Sequence, residues 1–447
     1  MSNDGVIYPL DYSIQDIDLF TSGGQKFNIR RLMGVFNYYE DIFGFCSSGS
    51  IVLIDAQGFI EKMQLTGNEF LQINIGKVKD DPANIVENFR CYKIDKAKPT
   101  GNMNSVTYEL FFCSEELLLS EQTKVSQSYK GQTITFIITD ILAKKLQVHS
   151  NKVGIIEETT GVYDFVVPTM KPFEAISWLS NYAMQTKYKG ADMLFYQTRE
   201  GFNFRSLQSI YSDEVYATYQ YSAKNIDEAD QGVNAKQNSV QKYEIQKPHD
   251  ALHEADAGTF ANRLLSIDPL TRSHYTTDFD YSSYQKSSTS LNKEPAAETY
   301  KNRLGNTQSN SFESTLKVTH SNQNQANVKY IKTKAGSVSN DMFSEKTIPM
   351  RTAQLALMNY TKIKMTIPGD TGITVGKIII FNLNSLDAST PNKEVDKNYA
   401  GKYVVTAVRH MFTQTQFQTI LEICKDSSPS AYQTPQESQD WQEAKNT

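Results

Sequence analysis

Two periodicities alternate along this chain. Over residues 15–120, short runs such as SIQDIDLF, GSIVLIDAQGFIEKMQL, NEFLQINIG, NFRCYKID and SVTYELFFCSE read as strands, with apolar and polar side chains alternating over part of their length. That period lines one face of a sheet, and the Gly, Asn, Asp and Pro turns between the runs predict a barrel or sandwich. Over 121–225 the period lengthens: KGQTITFIITDILAKKLQV predicts a helix and YDFVVP a short strand. Next comes a helix–hairpin unit, Met170 to Tyr211. Pro172 suits a first helical turn, where its missing N–H has no partner to lose. Phe173, Ile176, Leu179 and Ala183 recur at helical spacing, and Ala175, Trp178 and Tyr182 widen the same face. After Gly190 the period returns to two. Met193, Phe195 and Gln197 share one face, and Leu194, Tyr196 and Thr198 the other. Arg199-Glu200-Gly201 turns the chain, with Gly201 free to take a positive φ, and Phe202 and Phe204 begin the return strand.

From about residue 222 the pattern weakens. SAKNIDEADQGVNAKQNS predicts an exposed connection and VQKYEIQK a strand. In DAGTFANRLLSIDPLTR, the positions of Phe260, Leu264, Leu265 and Ile267 predict a helix. Residues 281–340 are rich in Ser, Asn, Gln and Lys, the composition of extended surface loops, partner-facing strands or partial disorder. After Met342, PMRTAQLALMNY predicts a helix, and TKIKMTIPGDTGITVGKIIIFNL two strands around the Pro368-Gly369-Asp370 turn. GKYVVTAVRHMFTQTQFQTILEICKD predicts a long hairpin. The last 20 residues are polar and expected to be flexible, with Trp441 as a lone docking point.

The hairpin near the end echoes the end of the first strand-rich block. Leu110-Phe111-Phe112-Cys113 aligns with Leu421-Glu422-Ile423-Cys424, each followed by an acidic residue shortly after. Duplication explains the match; so does the shared chemistry of two barrel-closing strands.

Composition narrows the function classes. The 25 Tyr and 23 Phe favour β-rich, half-buried surfaces. A net charge of −5 argues against a general nucleic-acid binder, which neutralises phosphates with surplus Lys and Arg. No apolar run reaches the roughly 18 residues of a membrane span, and the first residues lack the basic and apolar regions of a signal peptide. Cys46, Cys91, Cys113 and Cys424 lie far apart, mostly in strand-like runs, as buried reduced thiols of a chain folded in a cytosol do; a redox or disulfide role is the alternative.

Candidate chemistry is thin. His249 and His253 lie four apart with Glu254 and Asp256 close by, but the order is not that of a metalloprotease helix and a defined third ligand is missing. His410 alternates with Thr406 and Val408 on a strand and is expected to face a sheet neighbour. The adjacent pairs Glu115-Glu116 and Glu157-Glu158 do not flank a cleft as a glycosidase pair does. A nucleophile elbow and a phosphate-cradling loop are both absent. The reading is of a non-enzyme with no catalytic, metal or cofactor residues.

Taken in order along the chain, several stretches resemble the baseplate hub proteins of contractile-tailed bacteriophages, whose fold recurs in the spike hubs of type VI secretion and related injection systems. GSIVLIDAQGFIEKMQLTGNEFLQINIG resembles the family's first barrel, and KGQTITFIITDILAKKL the helix that opens its peripheral domain. KPFEAISWLSNYAM…MLFYQTREGFNFRSL is the fullest match. DALHEADAGTFANRLLSIDPLTR resembles the start of an outer insertion, and MTIPGDTGITVGKIIIFNL…AGKYVVTAVRH the closing half of a second barrel.

The resemblance spans about residues 15–427 and implies a mainly β chain with α+β parts. Two similar β-barrel tube-forming domains (15–120; 226–255 with 345–427) and two peripheral domains (121–225; 256–344, polar and partly extended) would precede a flexible tail, 428–447. It implies a homotrimeric ring in the virion baseplate, assembled in host cytoplasm, that adapts a sixfold tail tube to a threefold central spike. Tube, spike and baseplate wedge proteins would be partners, DNA only passing cargo, and membrane insertion is not expected. The net charge suits a bore that does not hold phosphates. Three rival readings are a tail-associated cell-wall hydrolase, an adhesin built on exposed aromatics, and a secretion-system spike hub. The last commonly continues into a β-helical needle, whereas this sequence runs to residue 447 in polar residues, which favours a phage hub with a separate spike.

Overall fold

The computed structural model describes residues 13–21, 23–56, 58–63, 65–66, 69–76, 85–100, 105–221, 238–248, 250–268, 272–285, 288–294, 296, 316–320, 331–333, 336–338, 344–384 and 395–430. The first block holds β1 (Ser13–Phe20), β2 (Lys26–Asn28), β3 (Met33–Asp41), β4 (Ser48–Asp55), α1 (Phe59–Met63), β5 (Phe70–Gly76), β6 (Ile85–Thr100) and β7 (Ser105–Ser114). Then follow α2 (Glu115–Gln122), β8 (Val125–Gln132), α3 (Ile134–Lys144), β9 (Val153–Ile156), β10 (Tyr163–Met170) and α4 (Pro172–Ser180). The hairpin β11 (Met193–Thr198) and β12 (Gly201–Ser206) leads into α5 (Leu207–Tyr211) and β13 (Val215–Tyr221). Beyond lie β14 (Lys242–Lys247), α6 (Ala251–Ala257), β15 (Ala261–Asp268), β16 (Ser273–Asp280), α7 (Tyr281–Gln285), β17 (Leu316–His320), β18 (Ile331–Thr333) and β19 (Gly336–Val338). The chain returns through α8 (Ser344–Met358), β20 (Thr361–Pro368), β21 (Ile378–Leu383), β22 (Gly401–Thr413) and β23 (Phe417–Lys425).

The fold is mainly β. A 13-stranded sheet runs β14-β20-β23-β22-β3-β4-β7-β6-β5-β1-β2, with β21 beside β22 and β13 beside β21. It contains one pattern twice. Number β1, β3, β4, β5, β6 and β7 as first to sixth, and β13, β14, β20, β21, β22 and β23 likewise. Pairing in both sets then runs first–fourth–fifth–sixth–third–second. The register repeats too. Arg90 faces Cys113 and Val404 faces Cys424, and each long strand bulges one step later, between Cys91 and Lys93 and between Val405 and Ala407. Ile94 then faces Leu110, as Val408 faces Leu421. Leu110–Cys113 and Leu421–Cys424 thus occupy the same place in the two sets. One pairing differs: β1 is antiparallel to β5, whereas β13 is parallel to β21.

The closed barrels expected from the sequence are not formed by strand pairing. The edge of β3 that would complete the first is taken by β22, from Val35 opposite Thr413 to Asp41 opposite Ala407, and this joins the two sets. Short backbone contacts lie at each gap among the described residues: Ile29 N–H donates to Ile17 O, Gln220 N–H to Asn238 O, and Val240 N–H to Gln220 O. The core of the first set gathers Phe36, Tyr38, Ile51, Leu53, Phe89 and Phe112, and takes in Phe412 and Phe417 from the second. The second set buries Ile363, Met365, Ile379, Phe381, Tyr403 and Leu421.

A third core sits between α3, α4 and the β11–β12 hairpin, and buries Ile137, Ile141, Phe173, Ile176, Leu179, Phe195 and Phe202. Helix α4 begins at Pro172 as expected, and Glu174 accepts from the Lys171 N–H ahead of it. The Arg199-Glu200 turn closes with Gly201 at φ +127°, where an added Cβ would lie 2.5 Å from Lys152 O. No L side chain fits there.

Two expectations fail. The helix read through Phe260–Ile267 is strand β15, paired with β16 and β17. Its inward positions are Asn262, Leu264 and Ser266, so two polar residues on the buried face masked the period of two. Asn262 Nδ2 is satisfied by Gly258 O and Pro349 O. The flexible tail expected from residue 428 does not begin there, because Ser428 is buried and exchanges backbone hydrogen bonds with Glu294. Residues 431–447, with Trp441, and most of 281–340 lie outside the described residues. The strands flanking Pro368-Gly369-Asp370 are present but unpaired with each other: β20 lies between β14 and β23, and β21 between β13 and β22.

Candidate assembly site

The joint between the two strand sets holds a buried polar network. On β3, Phe36 and Tyr38 point into the first core while Asn37 and Tyr39 meet β22 from the other face. Arg409 donates through Nε and Nη2 to Asn37 Oδ1 at 3.1 and 2.9 Å, and Asn37 Nδ2 donates to Ser50 Oγ. His410 is fully buried, stacked on Tyr38, with Nδ1 3.1 Å from Thr419 Oγ1. Burial, with the nearby charge of Arg199 second, lowers its pKa to about 3, so it is a neutral sheet residue.

Glu40, also on β3, ties three segments together. Its Oε1 accepts from Tyr38 Oη and from the Arg199 N–H at 2.8 Å, and its Oε2 from the Val375 N–H at 3.2 Å. Burial pushes this carboxyl up to about 7 despite those donors. The hairpin turn is therefore fastened to both strand sets. Gln197 Oε1 adds acceptance from Ser114 Oγ and the Ser47 N–H, and Arg351 on α8 donates to Met193 O at 2.7 Å. Phe45 stacks on Phe173 at 5.4 Å across the same boundary. The helix–hairpin unit is a brace.

The sequence-derived chemical candidates do not converge. His249 lies outside the described residues. His253 is exposed, and its N–H donates to Asp250, which caps α6. Glu254 is buried between Lys247 Nζ and Thr259 Oγ1, each at 2.6 Å, while Asp256 is exposed. Among the described residues no His, Cys, Asp and Glu group could hold a metal ion. Glu115 pairs with Arg90, Glu116 with Lys152, and Glu157 with Arg205, which also holds Asp213. Trp178 is half-buried against Phe165 and Tyr182. All four cysteines are free; Cys46 is partly exposed and the other three are buried, with burial pushing the Cys113 and Cys424 thiols up to about 11.

Sequence reasoning missed one pocket, between α5, α7 and α8, lined by Asp192, Gln208, Tyr284, Gln354 and Asp426. Burial raises both acids, to about 7 and about 6. Its volume, about 30 Å³, is the space of a water molecule and not of a sugar ring. Gln208 N–H donates to Asp192 Oδ2 and Leu291 N–H to Asp426 Oδ1. Glu40, Gln197 and Arg351 were missed as well, because each is a single polar residue with a partner more than a hundred positions away.

Comparison with known proteins places this architecture. The chain is 25% identical over 406 residues to a probable baseplate hub protein, gp334, of Vibrio phage KVP40, covering 87% of this chain and 89% of that one. The fold matches a tail protein from Neisseria meningitidis MC58, with a TM-score of 0.52, 11% identity, and coverage of 93% of this chain and 97% of that one. It also matches the 43 kDa tail protein of prophage MuSo2 from Shewanella oneidensis, with a TM-score of 0.52, 9% identity, and coverage of 92% and 99%. No protein-family model matches the chain. The resemblance to baseplate hub proteins read from the sequence is borne out.

Proposed function

We propose that this relative of phage baseplate hub proteins is itself the structural hub of a contractile tail, a homotrimeric ring that adapts the sixfold tail tube to a threefold central spike and forms part of the DNA passage. The observation that carries this reading is the doubled strand set. Three chains, each with two like-built sets joined edge to edge, present six similar units around one axis. The braced third core, lying outside the doubled strands, holds the joint at a fixed angle. Tube, spike and wedge proteins are the partners, and the virion baseplate is the location. The role is structural, with Glu40, Gln197, Arg351 and Arg409 holding segments together.

We place two ring domains at 15–120 and at 226–255 with 345–427, and peripheral domains at 121–225 and 256–344, the second ring domain gaining β13, which pairs with β21. Light scattering on the purified chain tests the assembly. The expected mass is three times 50.6 kDa. A stable twofold dimer would overturn the reading, because an isologous contact uses up the surface a ring needs.

A further inference from the structure

We propose that the ring closes by β-strand pairing between copies: the outer edge of β14 in one chain pairs, antiparallel, with the second half of β6 in the next. This rests on the trimeric reading and names the surface that makes it. Within one chain, the fifth strand of the second set, β22, splits one of its edges. Gly401–Val404 pair with β21, and Ala407–Thr413 pair with β3, the second strand of the first set. The fifth strand of the first set, β6, is split in the same way: Ile85–Arg90 pair with β5. From Tyr92 to Thr100 that edge has no strand partner among the described residues. β14 is the second strand of the second set, the counterpart of β3, and among the described strands it pairs with β20 alone. The chain thus carries the two halves of the joint it has already made once.

The repeat also sets the register. Arg409 faces Tyr39 across the internal joint. Arg409 faces Ile420 on β23, as Asp95 faces Glu109 on β7, four positions before the matched cysteines in each case. Tyr39 faces Ser48, which faces Cys113; Lys247 faces Lys362, which faces Cys424. Asp95 of one copy therefore stands opposite Lys247 of the next, an opposite-charge cross-strand pair. In the single chain these two side chains turn to local partners, Lys93 and Glu254. Tyr92, 48% exposed at the start of the free edge, would gain cover. An exposed edge of this kind invites another strand. Because the two edges differ, the contact is heterologous and closes only as a ring.

Cysteine pairing tests the register. Asp95→Cys and Lys247→Cys are introduced together and singly in the full chain, oxidised, and run on non-reducing gels beside light scattering. The double variant is expected to give reducible two- and three-chain species, each single variant none, and a mixture of the two singles a two-chain species only. The mixture decides the matter if the double variant does not fold. Three-chain particles without any cross-link would overturn this joint and leave the ring standing. Self-linking of either single variant, or monomers with no cross-link, would overturn both.

Discussion

Phe173→Ala tests whether the brace is a true core. The side chain is 2% exposed, and its ring lies 5.4 Å from Phe45, 5.9 Å from Phe195 and 6.2 Å from Phe202. Burying such a ring is worth about 1.5–3 kcal/mol by transfer alone. Its removal leaves a hole between a helix and a hairpin whose backbone is hydrogen-bonded throughout, so collapse is poor and the cost rises to about 3–5 kcal/mol. Trp178 reports on this core directly, 4.8 Å from Phe165 and packed against the same cluster. In a Trp441→Phe background it is the sole indole, since the chain has two. Urea unfolding followed by its emission should shift to a midpoint lower by about 1–3 M, given a usual slope for a unit of this size. A loss under about 1 kcal/mol would refute the packing argument, because no cavity of that kind is so cheap.

The remaining predictions concern the joint and the turn. Glu40 has its carboxyl raised to about 7 in the folded chain, so the native state binds the extra proton above the ordinary carboxylate range. Its contribution to stability is present at low pH and lost as pH rises through that value, by up to about 3 kcal/mol. Glu40→Gln should remove this slope, and denaturation curves of variant and wild type that stay parallel from pH 4.5 to 8 would sink the idea. Gly201→Ala should cost about 1–3 kcal/mol or more, because φ +127° and the Lys152 carbonyl both exclude a methyl group; an unchanged melting temperature would contradict it. Arg409→Ala strands Asn37 Oδ1 in a buried joint and should destabilise by about 1–3 kcal/mol, with a neutral result showing that the joint is held by backbone pairing alone.

How far the sequence reveals this fold depends on how local each signal is. The hairpin at Arg199-Glu200-Gly201 and helix α4 were legible because Pro172, Gly201 and the apolar spacing act within a few residues. The Leu-x-x-Cys match was legible because each stretch meets the core and neighbouring strand of its own set in the same register. Strand β15 was misread because Asn262 and Ser266 face inward and interrupt the apolar alternation, and the Pro349 carbonyl that Asn262 Nδ2 meets lies 87 positions away. The joint itself was invisible. Pairing of β3 with β22 links positions about 370 apart, and neither strand carries a mark that distinguishes an edge kept inside the chain from one offered to a neighbour. Glu40 illustrates the same limit, as an ordinary glutamate until Arg199 and Val375 are folded against it.

Electron imaging of the purified chain, with class averages viewed along the particle axis, shows whether three copies close into a ring. The expected view is an open ring of threefold symmetry with six similar units around the centre, since each chain contributes two strand sets. Particles with twofold symmetry, or single chains at concentrations where light scattering shows no association, would contradict it.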